Sequence, residues 1–177
     1  MRARYGSLIA VAALCVAVIA PGCSDGTVDD GNTGDVVLEV ASVTTTPITT
    51  AEDPNNPGSC TVTVTDWTTQ LNNKPKNGSA IVSPWNDVMM GTVDITYVWD
   101  DPSIVTAPVT MNLNGTIPAN GSLGVKFPPI FLGDVSAAML GHSANLTMTF
   151  HGTAVSGEDV TTTAFGAVMS VNACIGS

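Results

Sequence analysis

An apolar residue at every second position is the pattern that most limits what this chain can become. From residue 60 it reads CTVTVTDWTT, with Cys60, Val62 and Val64 set against Thr61, Thr63 and Thr65. The pattern returns in DVMMGTVDITYVWD, residues 87–100, where Val93, Ile95, Tyr97 and Trp99 alternate with Thr92, Asp94 and Thr96. Successive side chains of a strand point to opposite faces, so this alternation makes one buried face and one wet face. An amphipathic helix needs a period of about 3.6 instead, and no long stretch here offers one.

Five further runs complete the set: 35–46, 108–117, 122–132, 145–155 and 159–174. Val109, Met111 and Leu113 share one face, as do Leu146, Met148 and Phe150. Pro128 and Pro129 end the 122–132 run, because proline cannot donate to a ladder. In the last run Cys174 has the parity of Val160 and Val168, not that of Phe165, Met169 and Val171; a strand buried on both faces or a bulge accounts for it. Trp67 is out of phase too, falling on the threonine side of its run; a bulge or a covering loop accounts for it. Residues 134–141, DVSAAMLG, predict two helical turns with Asp134 as N-cap and Gly141 as C-cap. About seven half-wet strands must be covered by each other, which makes the chain all-β: an antiparallel β-sandwich over residues 35–177. In pattern alone it resembles immunoglobulin-like and fibronectin-like sandwiches. It lacks the Cys…Trp…Cys core signature of true immunoglobulin domains.

The N-terminus is of another kind. Arg2 and Arg4 precede LIAVAALCVAVIA, residues 8–20, an uncharged run that ends at Ala20, Pro21, Gly22 and Cys23. A basic start and a short apolar run mark a secretory signal, and thirteen residues are too few for the roughly 20 that span a bilayer. Small residues ending at a cysteine resemble the lipobox of bacterial lipoprotein precursors, although Ala20 stands where that family usually has leucine. The resemblance covers only about the first 26 residues. It implies that 1–22 is removed, that Cys23 is lipidated, and that the membrane is a partner through this anchor. It also implies a place in the bacterial cell envelope, with Ser24 favouring the outer membrane. Ordinary signal cleavage, leaving a free Cys23 thiol, is the other outcome. Residues 23–34 lack apolar periodicity and read as a flexible linker.

Composition narrows the partners. Without the leader, three lysines remain beside all fifteen acids, giving −12 where the whole chain has −10. A chain so poor in cations cannot neutralise a phosphate backbone, which excludes nucleic acid. Beyond Cys15 and Cys23 there are only Cys60 and Cys174. In an oxidising compartment such a pair reads as one disulfide. Two reduced, buried thiols are the alternative.

The residues that could carry chemistry make no constellation by spacing. His142 and His151, nine apart, match no metal-ligand spacing. GHSAN, 141–145, lacks the second glycine of G-x-S-x-G and the α/β context that would make Ser143 a nucleophile. Acids cluster at Asp29/Asp30/Asp35, Glu52/Asp53, Asp100/Asp101 and Glu158/Asp159 without a calcium-loop spacing. Trp85, in SPWND, either plugs one end of the sandwich or stands in a loop where it stacks on a sugar or a partner. The sequence therefore assigns no catalytic, cofactor or metal residue. It points to a non-catalytic interaction or structural module with a protein or glycan partner. A glycan- or calcium-binding surface protein is the alternative.

Overall fold

The computed structural model describes residues 36–53, 55–56, 59–76 and 83–174. The leader, Cys23 and the linker, with the acids Asp29, Asp30 and Asp35, lie outside the described residues. The described residues form ten strands: β1 (Val36–Thr44), β2 (Thr49–Glu52), β3 (Cys60–Thr63), β4 (Trp67–Pro75), β5 (Val88–Trp99), β6 (Val109–Asn112), β7 (Thr116–Ile117), β8 (Ser122–Phe127), β9 (Ser143–Ala154) and β10 (Asp159–Ser170). All strand pairings within the sheets are antiparallel.

Two sheets face each other. One has the order β1-β4-β8, the other β10-β9-β5-β6, with β7 also on β5. β6 and β7 are one edge strand interrupted at residues 113–115. Leu113 N–H donates to the Gly91 carbonyl across the gap, and Met90 N–H donates to Gly115. With that pair counted once and the β2–β3 hairpin set aside, seven principal strands remain. The first, second and fifth oppose the third, sixth and seventh, the division of an immunoglobulin-like sandwich; the fourth pairs with the third. β2 and β3 form a separate hairpin. The expected count of about seven is too low: the run 60–69 divides into β3 and β4, the run 108–117 into β6 and β7, and β2 is an additional strand.

The core lies between the sheets. Leu38, Trp67, Leu71, Val125 and Phe127 descend from one, and Val88, Val93, Ile95, Leu146, Met148, Phe150 and Met169 rise from the other. Phe127 meets Phe150 edge to face across the gap, with ring centroids 5.9 Å apart, a favoured aromatic geometry. The inward assignments for β5, β6 and β9 hold: Val93, Ile95 and Trp99, then Met111 and Leu113, then Leu146, Met148 and Phe150, are buried, while Tyr97 and Val109 pack against the core half-buried.

Two local expectations are corrected, and in β10 a bulge rather than a strand buried on both faces accounts for the mixed parity. The run 60–69 is not one strand: the chain leaves β3 at Thr63 and starts β4 at Trp67, in new phase. Trp67, Thr69, Leu71 and Asn73 therefore form the buried face of β4. In β10 the register shifts between Phe165 and Ala167, where Gly166 adopts φ +73°. The bulge turns Phe165 outward, 78% exposed, while Val160, Ala164, Met169 and Val171 point inward. Residues 134–141 form no α-helix. Two 3-10 turns, Leu132–Asp134 and Ala137–Met139, stand there instead, and Asp134 ends the first turn rather than capping a helix.

The two ends of the sandwich differ. Val36 pairs with Pro75, and Asn73 beside it donates from Nδ2 to the carbonyls of Asn86 (2.7 Å) and Ile117 (3.2 Å). The start of β1, the end of β4 and the start of β5 thus share one end, here termed the base, where the chain enters. The opposite tip carries the β2–β3 hairpin, residues 100–108 and residues 128–142. There Ile48 bridges Val171 in parallel, and Cys60 and Cys174 meet at disulfide-bonding distance, their Cα atoms 6.2 Å apart.

Candidate functional site

The outer face of β10-β9-β5-β6 is the surface with the most chemistry on it. The register lays it out in rows. Thr92, His151 and Thr161 lie side by side, then Asp94, Thr149 and Thr163, then Thr96, Thr147 and Phe165, then Val98, Asn145 and Val168. This is the wet side foreseen from the alternation, and threonine fits a pleated half-exposed surface.

Toward the base the face dips. The ladder bulges between Met90 and Thr92, and Gly91 and Gly152 leave backbone rather than side chain at the floor. A Cβ at Gly152 would sit 2.8 Å from Val88 Cγ1 and 3.0 Å from the Met89 carbonyl, on the core side of the sheet, so glycine there lets β9 pack closely against β5. Asp94, Thr110, His151, Thr153, Asp159 and Thr161 line it. Thr110 Oγ1 donates to Asp94 Oδ1 at 2.6 Å, and His151 Nε2 stands 2.9 Å from Asp94 Oδ2. Thr153 Oγ1 donates to Asp159 Oδ1 at 3.1 Å. The hydrogen bond from Thr110 holds the Asp94 carboxyl below its ordinary value; partial desolvation opposes it and His151 assists.

Thr110, Asp94 and His151 are not in the order of a hydroxyl–imidazole–carboxylate relay. In a hydroxyl–imidazole–carboxylate relay the hydroxyl gives its proton to the imidazole. Here Thr110 gives its hydrogen bond to the carboxylate, and His151 contacts the same carboxylate from the other side. What remains is a small patch of hydroxyls and two carboxylates that can accept hydrogen bonds from a polyhydroxylated ligand.

Toward the tip, His142 Nδ1 stands 2.9 Å from Asp100 Oδ1, and Ser143 N–H donates to Asp100 Oδ2. Desolvation opposes ionisation of Asp100, but the Ser143 amide and His142 hold its carboxyl below the ordinary value. Ser143 opens a strand, not a helix, so no nucleophile elbow forms. Val98 (67% exposed), Phe165 and Val168 (52%) stand between the two histidine–aspartate pairs. Sequence reasoning missed both pairs. His151 faces Thr92 and is only diagonal to Asp94, so the register of β5 on β9 had to be known; shared parity was the one available sign.

The other candidates are scattered. Trp85 does not plug the sandwich: it is 66% exposed in a 3-10 turn at the base, Pro84–Asn86. Glu52/Asp53 and Asp100/Asp101 belong to the tip, and Glu158/Asp159 to the base. Among the described residues no three His, Cys, Asp or Glu side chains come together as a metal cluster. Comparison with known proteins finds no family model that matches the chain and no matching curated relative.

Replacing Thr110 with alanine tests the electrostatics of the depression. A carboxyl titrating lower in the folded than in the unfolded chain stabilises the fold above its unfolded pKa, and this contribution is lost as pH falls through the folded pKa. Thr110→Ala is expected to move the Asp94 carboxyl back up and shrink that acid-sensitive contribution. NMR titration of Asp94 in both proteins reads it; identical titration curves would contradict the role given to Thr110.

Proposed function

We propose that this protein is an exported, lipid-anchored module of the bacterial envelope that recognises a partner without catalysis, through the outer face of β10-β9-β5-β6. The observation that carries the reading is the display of Val98, Phe165 and Val168 in adjacent rows of an open sheet face. Exposed apolar side chains gathered on one face of a small domain mark interaction surfaces. Orientation supports it. The chain enters at the base, whereas Val98 and Val168 lie toward the tip, so an anchor at Cys23 holds the domain with this part of the face away from the membrane. The lipobox-like leader supports the address, with Ser24 favouring the outer membrane.

The test is protection on native membranes. Val98→Cys and Thr68→Cys, the second on the outside of the other sheet, are labelled with a maleimide on membranes and after purification. The reading expects Val98→Cys to be shielded on membranes and labelled when pure, with Thr68→Cys labelled in both. Equal labelling of the two positions in both states would contradict it.

A glycan is the second reading, supported by the hydroxyl- and carboxylate-lined depression around Asp94, His151 and Asp159. Shifts of the Thr110, His151 and Thr153 resonances on adding envelope oligosaccharides would favour it.

A further inference from the structure

We infer that the base of the domain rests on the bilayer, with the Trp85 indole set among the lipid headgroups and Val155 and Met89 beside it. This rests on the reading of Cys23 as a lipid anchor and adds a side-chain contact to it.

The three side chains gather at one corner of the base. Trp85 is 66% exposed, Met89 48% and Val155 40%. Ser156 N–H donates to the Trp85 carbonyl and Val155 N–H to the Asp87 carbonyl; Met89 pairs with Thr153 two steps further along the same ladder. The turn beneath the indole is pinned. Trp85 N–H donates to Ser83 Oγ, the Asn86 carbonyl accepts from Asn73 Nδ2 at 2.7 Å, and Asp87 Oδ1 accepts from the Ala119 N–H at 2.8 Å. A turn held on so many sides presents its one large side chain outward on a fixed mount.

The indole also differs from the other two. Trp67 and Trp99 each donate Nε1–H inside the domain, to the Thr46 carbonyl and to Thr106 Oγ1, both at 2.9 Å. Trp85 Nε1 has no hydrogen-bond partner among the described residues. An apolar ring with one unused donor suits the boundary of a membrane. Tryptophan collects there because its ring can be buried while its N–H stays wet.

The anchor selects the occupant. The described chain starts at Val36, at the base, and twelve residues, 24–35, join it to Cys23. Fully extended they span about 40 Å. β9 is 12 residues long, so the tip lies about 40 Å from the base. The tip can meet the bilayer only with the tether drawn straight alongside the domain, whereas the base meets it well short of that limit. Tethering keeps the base at high effective concentration beside the surface, so a contact of a few side chains is enough. The contact is apolar rather than electrostatic. Lys74 and Lys76 stand at this end, but so do Glu158 and Asp159, and a chain with three lysines to fifteen acids is not drawn to an anionic surface.

Fluorescence of the full-length lipoprotein in phosphatidylcholine vesicles tests this. Comparison with Trp85→Phe isolates the emission of Trp85 from that of Trp67 and Trp99 at the tip. Lipids brominated on the acyl chains near the headgroup are expected to remove most of the Trp85 emission and to leave that of Trp85→Phe unchanged. Because Trp85 is exposed, the melting temperature should not move with the substitution. Trp85 emission that bromine leaves intact, in protein that floats with the vesicles, would overturn the docking while leaving the anchor in place. Protein that does not float with the vesicles would overturn the anchor and the docking with it. Equal dimming in Trp85→Phe would bring the tip to the bilayer and overturn the orientation. Intact emission in vesicles, with Trp85→Cys shielded from maleimide on native membranes, would give the corner to a partner other than lipid and overturn the proposal.

Discussion

Trp67→Ala is expected to lower the stability of the domain by about 3–5 kcal/mol, the range for removing a large aromatic side chain from a packed core. Trp67 is fully buried at the start of β4, where it pairs with Phe127 of β8. It is among the largest side chains in the core, and its Nε1–H donates to the Thr46 carbonyl at 2.9 Å. That bond ties the central strand of one sheet to the segment that leaves β1 for the hairpin. Alanine removes the ring and leaves the Thr46 carbonyl without its donor. Trp67→Phe keeps most of the apolar contact and loses the hydrogen bond, so it should cost less, about 1–3 kcal/mol. Urea unfolding of the three proteins separates the two contributions. A loss below about 1 kcal/mol for alanine would mean that Trp67 does not occupy the core position described.

Removing the link between Cys60 and Cys174 is the second large effect. The two residues are 114 apart in sequence. Closing a loop of about that length restricts the unfolded chain, and losing such a bond from a small secreted domain costs about 2–5 kcal/mol. The folded side matters as well. β2 and β3 pair only with each other. Besides the disulfide, the two hydrogen bonds of the Ile48–Val171 bridge, Thr50 Oγ1 donating to the Ala173 carbonyl at 2.9 Å, and Val62 packed against the core tie the hairpin to the sandwich. Cys60→Ser with Cys174→Ser is therefore expected to lower global stability and also to speed amide exchange in residues 49–63 before the rest. Calorimetry reads the first and hydrogen exchange the second. A double variant that melts with the native protein and exchanges evenly would contradict the clasp.

The legible part of the fold was the part whose side chains alternate by type. β5 beyond Thr92, β6 and the middle of β9 carry apolar residues at every second position, and those inward positions were readable from the sequence alone; Val88 and Met90, before the bulge of β5, were not. β4 was not legible, because its sequence, WTTQLNNKP, places a threonine and an asparagine at buried positions. Asn73 tolerates burial only because Asn86 and Ile117, from distant segments, bring carbonyls to its amide. No local pattern announces acceptors supplied from elsewhere in the chain. In β10 the mixed parity of Val160, Phe165, Met169 and Cys174 left a bulge or a strand buried on both faces open, and the choice lies in the backbone at Gly166. A glycine inside a strand is a known mark of bulges, so Gly166 was the sign that favoured the first. The face itself followed from the threonine parity, whereas the two histidine–aspartate pairs depend on how β5 and β9 are registered.

Intact mass of the protein extracted from membranes, with and without reductant, tests most directly the central claim of an exported domain anchored at one end and closed by one disulfide. The account predicts the mass of residues 23–177 plus acyl chains on Cys23, less two hydrogens that return on reduction. An unacylated mass that reductant leaves unchanged would contradict it.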